Sequence, residues 1–82
     1  MQLARNPKQI GNAIRRERKK RGMSQSELGV KSGLRQETIS LIETGNTATK
    51  IETILTVLAA LDLEFQIGPR SKFSPSDIED SF

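Results

Sequence analysis

The sequence predicts an all-α domain of four helices, followed by one short C-terminal β-strand. Three observations carry this expectation. Apolar residues recur at helical spacing in successive segments separated by glycine-bearing breaks. Helix-start signals stand at the heads of these segments: Asn6-Pro7, Ser24-x-x-Glu27 and Thr49-x-x-Glu52. Only Leu63-Glu64-Phe65-Gln66-Ile67 alternates apolar and polar, as a strand does.

Residues 1–5 are expected to fray. Asn6 caps the first helix and Pro7 sits in its first turn, where a missing N–H costs nothing. This helix runs to about Arg21, with Ile10, Ala13 and Ile14 inward, and Gly22 ends it. Ser24 and Glu27 form a capping box for the second helix, Gln25 to Ser32, with Leu28 inward. Gly29 lies inside that helix, where Gly costs ~1 kcal/mol relative to Ala. A close crossing by the next helix would explain it. Gly33 closes the second helix and Leu34 drops into the core.

The third helix spans about Gln36 to Thr44. A step of about 100° per residue puts Thr38, Ile39, Ile42 and Glu43 on one face. Gln36, Glu37, Ser40, Leu41 and Thr44 fall on the other. The first set faces the core and the second faces out. After Gly45-Asn46, Thr49 and Glu52 suggest a second capping box. It opens a helix to about Leu61 with Ile51, Ile54, Leu55, Leu58 and Leu61 as its core stripe. Leu63, Phe65 and Ile67 then mark the strand. A lone strand leaves its backbone unpaired, so the expected partner is the same strand of a second copy about a two-fold axis. The other reading is an extended tail packed on the core. Domain limits follow: a folded unit over 1–67 with the dimerising strand at 63–67, and a flexible tail over 68–82. In that tail Ile78 and Phe82 are candidate anchors for a partner.

Composition narrows the function. The 82 residues allow one domain with a modest core, which oligomerisation would help. There is no Cys and no His, which removes disulfides, thiolate sites and most zinc sites. No base, activated nucleophile or phosphate-binding glycine loop is present, so neither enzyme activity nor a cofactor is expected. No apolar run approaches a membrane span, and a cytoplasmic protein is expected. Charge is uneven. Residues 1–50 hold 11 Lys/Arg against 4 Asp/Glu, whereas residues 51–82 hold 2 against 6. A basic front half suits a polyanion, although charge runs alone usually mark a solvated face.

Two helices joined through Gly33 match the helix-turn-helix plan, whose second helix enters the DNA major groove. On its outward face Gln36 can bond adenine in bidentate fashion and Ser40 can bond several base edges. Arg35, at the helix start, reaches a guanine or a phosphate. Glu37 accepts from cytosine N4 or complements the helix dipole, the latter slightly favoured. Leu41 contacts a thymine methyl or packs at the core edge. Gln25 is placed to hold a phosphate at a helix N-terminus, or is an ordinary solvated residue. Asn46, Thr47, Thr49 and Lys50 follow the third helix and can grip the DNA backbone.

These residues resemble the Cro/C1-type phage-repressor helix-turn-helix over about Ile10 to Leu61. The runs GMSQSELG and GLRQETISLIETG carry the likeness. The resemblance implies that Gln25 holds a phosphate, that Arg35 to Leu41 read bases, and that Arg18 pairs with Glu43. The helical wheel already put Glu43 inward, where a charge needs a partner. Arg35 stands where a Ser or Thr cap is common, Leu41 where a polar base contact is common, and Gly29 replaces a usual Ala. A closer resemblance is to HipB-type antitoxins, through NPKQIGNAI, GMSQSEL, LRQETIS and LDLEFQI. It implies a homodimer built on a two-stranded sheet, a flexible C-terminal tail, and repression of the protein's own operon through operator DNA. It also implies neutralisation of a HipA-type serine/threonine kinase toxin. The alternative is a stand-alone phage-type repressor with no toxin partner.

Overall fold

The computed structural model describes residues 4–70, which form four helices: α1 (Pro7–Lys20), α2 (Gln25–Ser32), α3 (Gln36–Glu43) and α4 (Ile51–Ala60). Ile78, Phe82 and most of the expected tail lie outside the described residues.

Each helix start follows from a local signal or from its absence. Asn6 Oδ1 accepts the Gln9 N–H at 2.8 Å, and Pro7 follows it. The α2 capping box is complete. The Glu27 N–H donates to Ser24 Oγ at 3.0 Å, and the Ser24 N–H donates to Glu27 Oε1 at 2.9 Å. These two groups hold the Glu27 carboxyl below its ordinary range, the Ser24 N–H first and its hydroxyl second. Helix α3 begins at Arg35 with no side-chain cap.

Helix α4 departs from expectation. Its N-cap is Lys50, not Thr49, and no side-chain cap forms, so the Thr49/Glu52 box is one residue out of register. Its buried face is Ile54, Val57 and Leu61, with Leu58 partly buried. Ile51 and Leu55, expected inward, stand 63% and 45% exposed. The apolar arc of α4 is wider than the face that α2 covers. One edge of the arc meets the core and the other meets solvent.

All four helices end alike, on a residue with positive φ: Gly22 (68°), Gly33 (72°), Gly45 (88°) and Asp62 (59°). In each the N–H two residues past the last full turn closes on a carbonyl five residues back. Met23 bonds Arg18, Leu34 bonds Gly29, Asn46 bonds Leu41 and Leu63 bonds Leu58, at 2.8–3.1 Å. These reversals are short, and they bring the helices back on one another. Helix α2 packs on α3 and α4, and α1 packs on α3. Ile14, Leu28, Ile39, Ile42, Ile54, Val57 and Leu61 meet as one core. Each such side chain contributes ~1.5–3 kcal/mol when fully buried.

Two glycines set the spacing of the pair α2–α3 and of α1 against it. A Cβ on Gly29 would meet the Leu34 carbonyl at 2.8 Å, so the glycine within α2 does mark a close approach. A Cβ on Gly11 would collide with the Ile42 carbonyl and lie 2.7 Å from that of Glu43. Backbone cannot yield as a side-chain tip can. Gly11→Ala should therefore lower the urea midpoint, because a strain of ~1–3 kcal/mol outweighs the ~1 kcal/mol gain in helix propensity. A midpoint that rises would show that α1 can lift from α3 without cost.

Beyond α4 the described residues form no strand. Leu63–Ile67 find no ladder partner among the described residues. The pairing expected of this segment is with a second copy. Leu63 is half-buried on the core, while Phe65 and Ile67 are 46% and 90% exposed.

Candidate nucleic-acid interface

Gly33 turns α2 into α3 within three residues, and the two helices pack closely around Gly29 and Leu34. That rigidity presents one face of α3 to solvent. Arg35, Gln36, Glu37 and Leu41 are exposed, Ser40 is half-buried, and Ile39, Ile42 and Glu43 are buried. The split is the one the helical wheel gives. Leu41 is half exposed and takes no part in the core cluster, so it does not serve as a core-edge residue. Glu37 lies in the first turn of α3, where its charge complements the helix dipole.

The flanks are less uniform. Lys50 is exposed at the N-cap of α4. Asn46 is half-buried, and its Oδ1 accepts the Ala48 N–H at 2.7 Å. Its carbonyl is therefore committed to shaping the α3–α4 turn, and only its amide nitrogen is left to face outward. At the start of α2 the capping box satisfies the N–H groups of Ser24 and Glu27. The N–H groups of Gln25 and Ser26, between them, belong to the first turn and have no intrahelical acceptor. They make a small concentration of donors at the N-terminus of α2.

Arg18 and Glu43 meet as expected. Arg18 Nε lies 2.7 Å from Glu43 Oε2, and Nη2 lies 3.1 Å from Oε1. The side chains are 9% and 2% exposed. The third guanidinium nitrogen, Nη1, donates to the Met23 carbonyl at 2.7 Å, which ties α1 to the α1–α2 turn. The bond to Glu43 raises the Arg18 guanidinium still further above its ordinary value, against the opposing effect of burial. Sequence spacing does not reveal a fourth participant. Gln25 Nε2 donates to Glu43 Oε1 at 3.2 Å. No local pattern links residues 25 and 43, so only the fold brings them together.

Among the described residues no group of carboxylates could hold a metal ion, and no helix is long and apolar enough to cross a membrane.

A polar, solvent-facing second helix, braced across a glycine turn by the first and flanked by free N–H donors, defines a DNA-binding helix-turn-helix domain. Comparison with known proteins agrees. Residues 14–67 match the helix-turn-helix family. The antitoxin HipB of Escherichia coli K12 is 34% identical over 74 residues, which cover 90% of this chain and 84% of that protein. Among solved structures, a chain of the HipA-HipB-O2-O3 complex superposes with a TM-score of 0.79 at 32% identity. That match covers 87% of this chain and all of the other. The restriction-modification controller protein C.AhdI of Aeromonas hydrophila gives 0.64 at 32% identity, over 70% and 83% of the two chains. The protein belongs to the helix-turn-helix family, and within it to the HipB antitoxins.

Proposed function

We propose that the protein is the antitoxin of a toxin–antitoxin pair, a dimeric repressor that binds operator DNA of its own operon and neutralises a HipA-type serine/threonine kinase toxin. The observation that carries this reading is the likeness to HipB along nearly its whole length, together with the fit to a chain from a HipA-HipB complex. In this reading α3 lies in the major groove. Gln36 and Ser40 read base edges, Arg35 takes a guanine or phosphate, and Leu41 meets a thymine methyl. Gln25, Asn46 and Lys50 hold phosphates, Asn46 through its amide nitrogen alone. Residues 1–67 are the folded DNA-binding unit. Leu63, Phe65 and Ile67 pair with their counterparts in a second copy. The protein works in the cytoplasm and performs no catalysis.

The test has two arms. Co-expression with the neighbouring gene product, followed by affinity capture, should recover a kinase-type partner. A mobility shift on the DNA upstream of the gene should survive non-specific competitor. Capture of nothing, with the shift intact, would leave a repressor without a toxin. The likeness to C.AhdI, a controller protein of another kind of system, keeps that second reading in view. Gln36→Ala should relax the choice of one base and cost ~1–3 kcal/mol of discrimination there. Unchanged specificity in both Gln36→Ala and Ser40→Ala would remove α3 as the reading helix.

A further inference from the structure

We infer that Glu43, held by Arg18, is a positioning residue for DNA binding: it fixes the Gln25 amide so that its nitrogen can bridge inward to the carboxylate and outward to a backbone phosphate. The inference rests on the reading of Gln25 as a phosphate contact.

A carboxylate only accepts hydrogen bonds. The Gln25 amide therefore meets Glu43 Oε1 through nitrogen, at 3.2 Å, and not through its own oxygen. That settles which end of the amide faces in. The nitrogen carries two hydrogens, and the one not spent on Glu43 diverges from it in the amide plane. It is available to an oxygen outside, as are the free N–H groups of Gln25 and Ser26 in the first turn of α2. Three donors then stand at the N-terminus of α2. Without Glu43 the half-buried side chain would keep its rotamer freedom, and its oxygen would be as free to face the phosphate as its nitrogen. An acceptor turned toward a phosphate repels it.

The arrangement needs Arg18 as well. A bare buried carboxylate behind the contact would oppose an incoming phosphate. Arg18 meets Glu43 through Nε at 2.7 Å and Nη2 at 3.1 Å, which balances that charge and locks the carboxylate plane. Its Nη1 bond to the Met23 carbonyl at 2.7 Å fixes the chain two residues before Gln25. One guanidinium therefore sets both the acceptor and the backbone entry of the phosphate contact. A purely structural pair would steady the fold and leave affinity alone once the protein is folded.

A double-mutant cycle on the full chain separates these roles, with the DNA upstream of its own gene as probe. Replacing the pair by apolar residues, Arg18→Met with Glu43→Met, removes the anchor without leaving one buried charge alone. Folded fraction is checked by circular dichroism at the binding temperature. Gln25→Ala should weaken binding about tenfold, the loss of one charge-assisted hydrogen bond. The Met pair should weaken it by a similar factor, and the triple variant should be no weaker than either. If Gln25→Ala binds as the wild type does, the phosphate role of Gln25 falls and the inference falls with it. If Gln25→Ala weakens binding but the two factors multiply, Gln25 keeps its role and the positioning by Glu43 is overturned. Should the Met pair not fold, the wild-type protein decides. In the free protein one Gln25 side-chain amide proton, the one given to Glu43, should be exchange-protected and the outward one should not, and an amide whose two protons both exchange rapidly would overturn the proposal.

Discussion

Glu43→Ala is expected to cost ~3–5 kcal/mol of folding free energy, the largest single loss available in this domain outside its apolar core. The Glu43 side chain is 2% exposed and accepts three donors, two from Arg18 and one from Gln25. Truncation strands all three. The Arg18 side chain is itself only 9% exposed, and its guanidinium cannot shed its charge, so it must stay unpaired or drag water inward. A loss of this size approaches the whole stability of a small domain, ~5–15 kcal/mol. The thermal midpoint should fall by more than ~12 °C, at ~4–8 °C per kcal/mol for a chain of this length. Circular dichroism at 222 nm checks it. A fall of only a few degrees would show that solvent compensates Arg18. The Met pair should fare better than Glu43→Ala, because exchanging both partners for apolar groups is often neutral, whereas removing one never is. The comparison distinguishes the cost of an orphaned charge from the worth of the pair.

The helix ends were the most legible part of this chain, because caps are local. Asn6, Ser24 and Glu27 act within three residues of themselves, and Gly22, Gly33 and Gly45 take backbone angles that other residues resist. The same reversal after α4 uses Asp62, whose positive φ no composition rule singles out. The faces of α3 were also legible, since a short helix with polar and apolar residues cleanly divided has one way to sit. Helix α4 was not. Seven of its ten residues are aliphatic, and an arc that wide does not say which edge meets α2. The core took Ile54 and Val57 and left Ile51 and Leu55 outside. The site divides in the same way. Gln36, Glu37 and Leu41 are exposed because of helical phase, which a sequence carries. The Gln25–Glu43 bond and the close approach of Gly11 to α3 depend on tertiary distance, which it does not.

Phe65→Asp should turn the protein into monomers and weaken operator binding by ~10²–10⁴-fold, the avidity a second tethered site supplies. Phe65 is 46% exposed and lies beyond α4, so the substitution removes little from the core and should leave the thermal midpoint of the single chain nearly unchanged. Its effect acts on assembly. Half-sites one or two helical turns apart, at ~34 Å per turn, require two recognition helices held at a fixed separation. A pair of charges facing one another across a two-fold axis would open a two-stranded sheet. Two five-residue strands bury too little for a stable interface by themselves, since specific contacts need ~1,200 Å² or more. The outer edge of α4, with Ile51 63% and Leu55 45% exposed, offers apolar surface that could supply the rest. Sedimentation and mobility shift measure the two effects separately. A Phe65→Asp chain that sediments as a monomer yet keeps its affinity would show that one recognition helix suffices. One that remains a dimer would shift the contact from the Leu63–Ile67 strand to the Ile51–Leu55 edge, and Leu55→Asp should then break it.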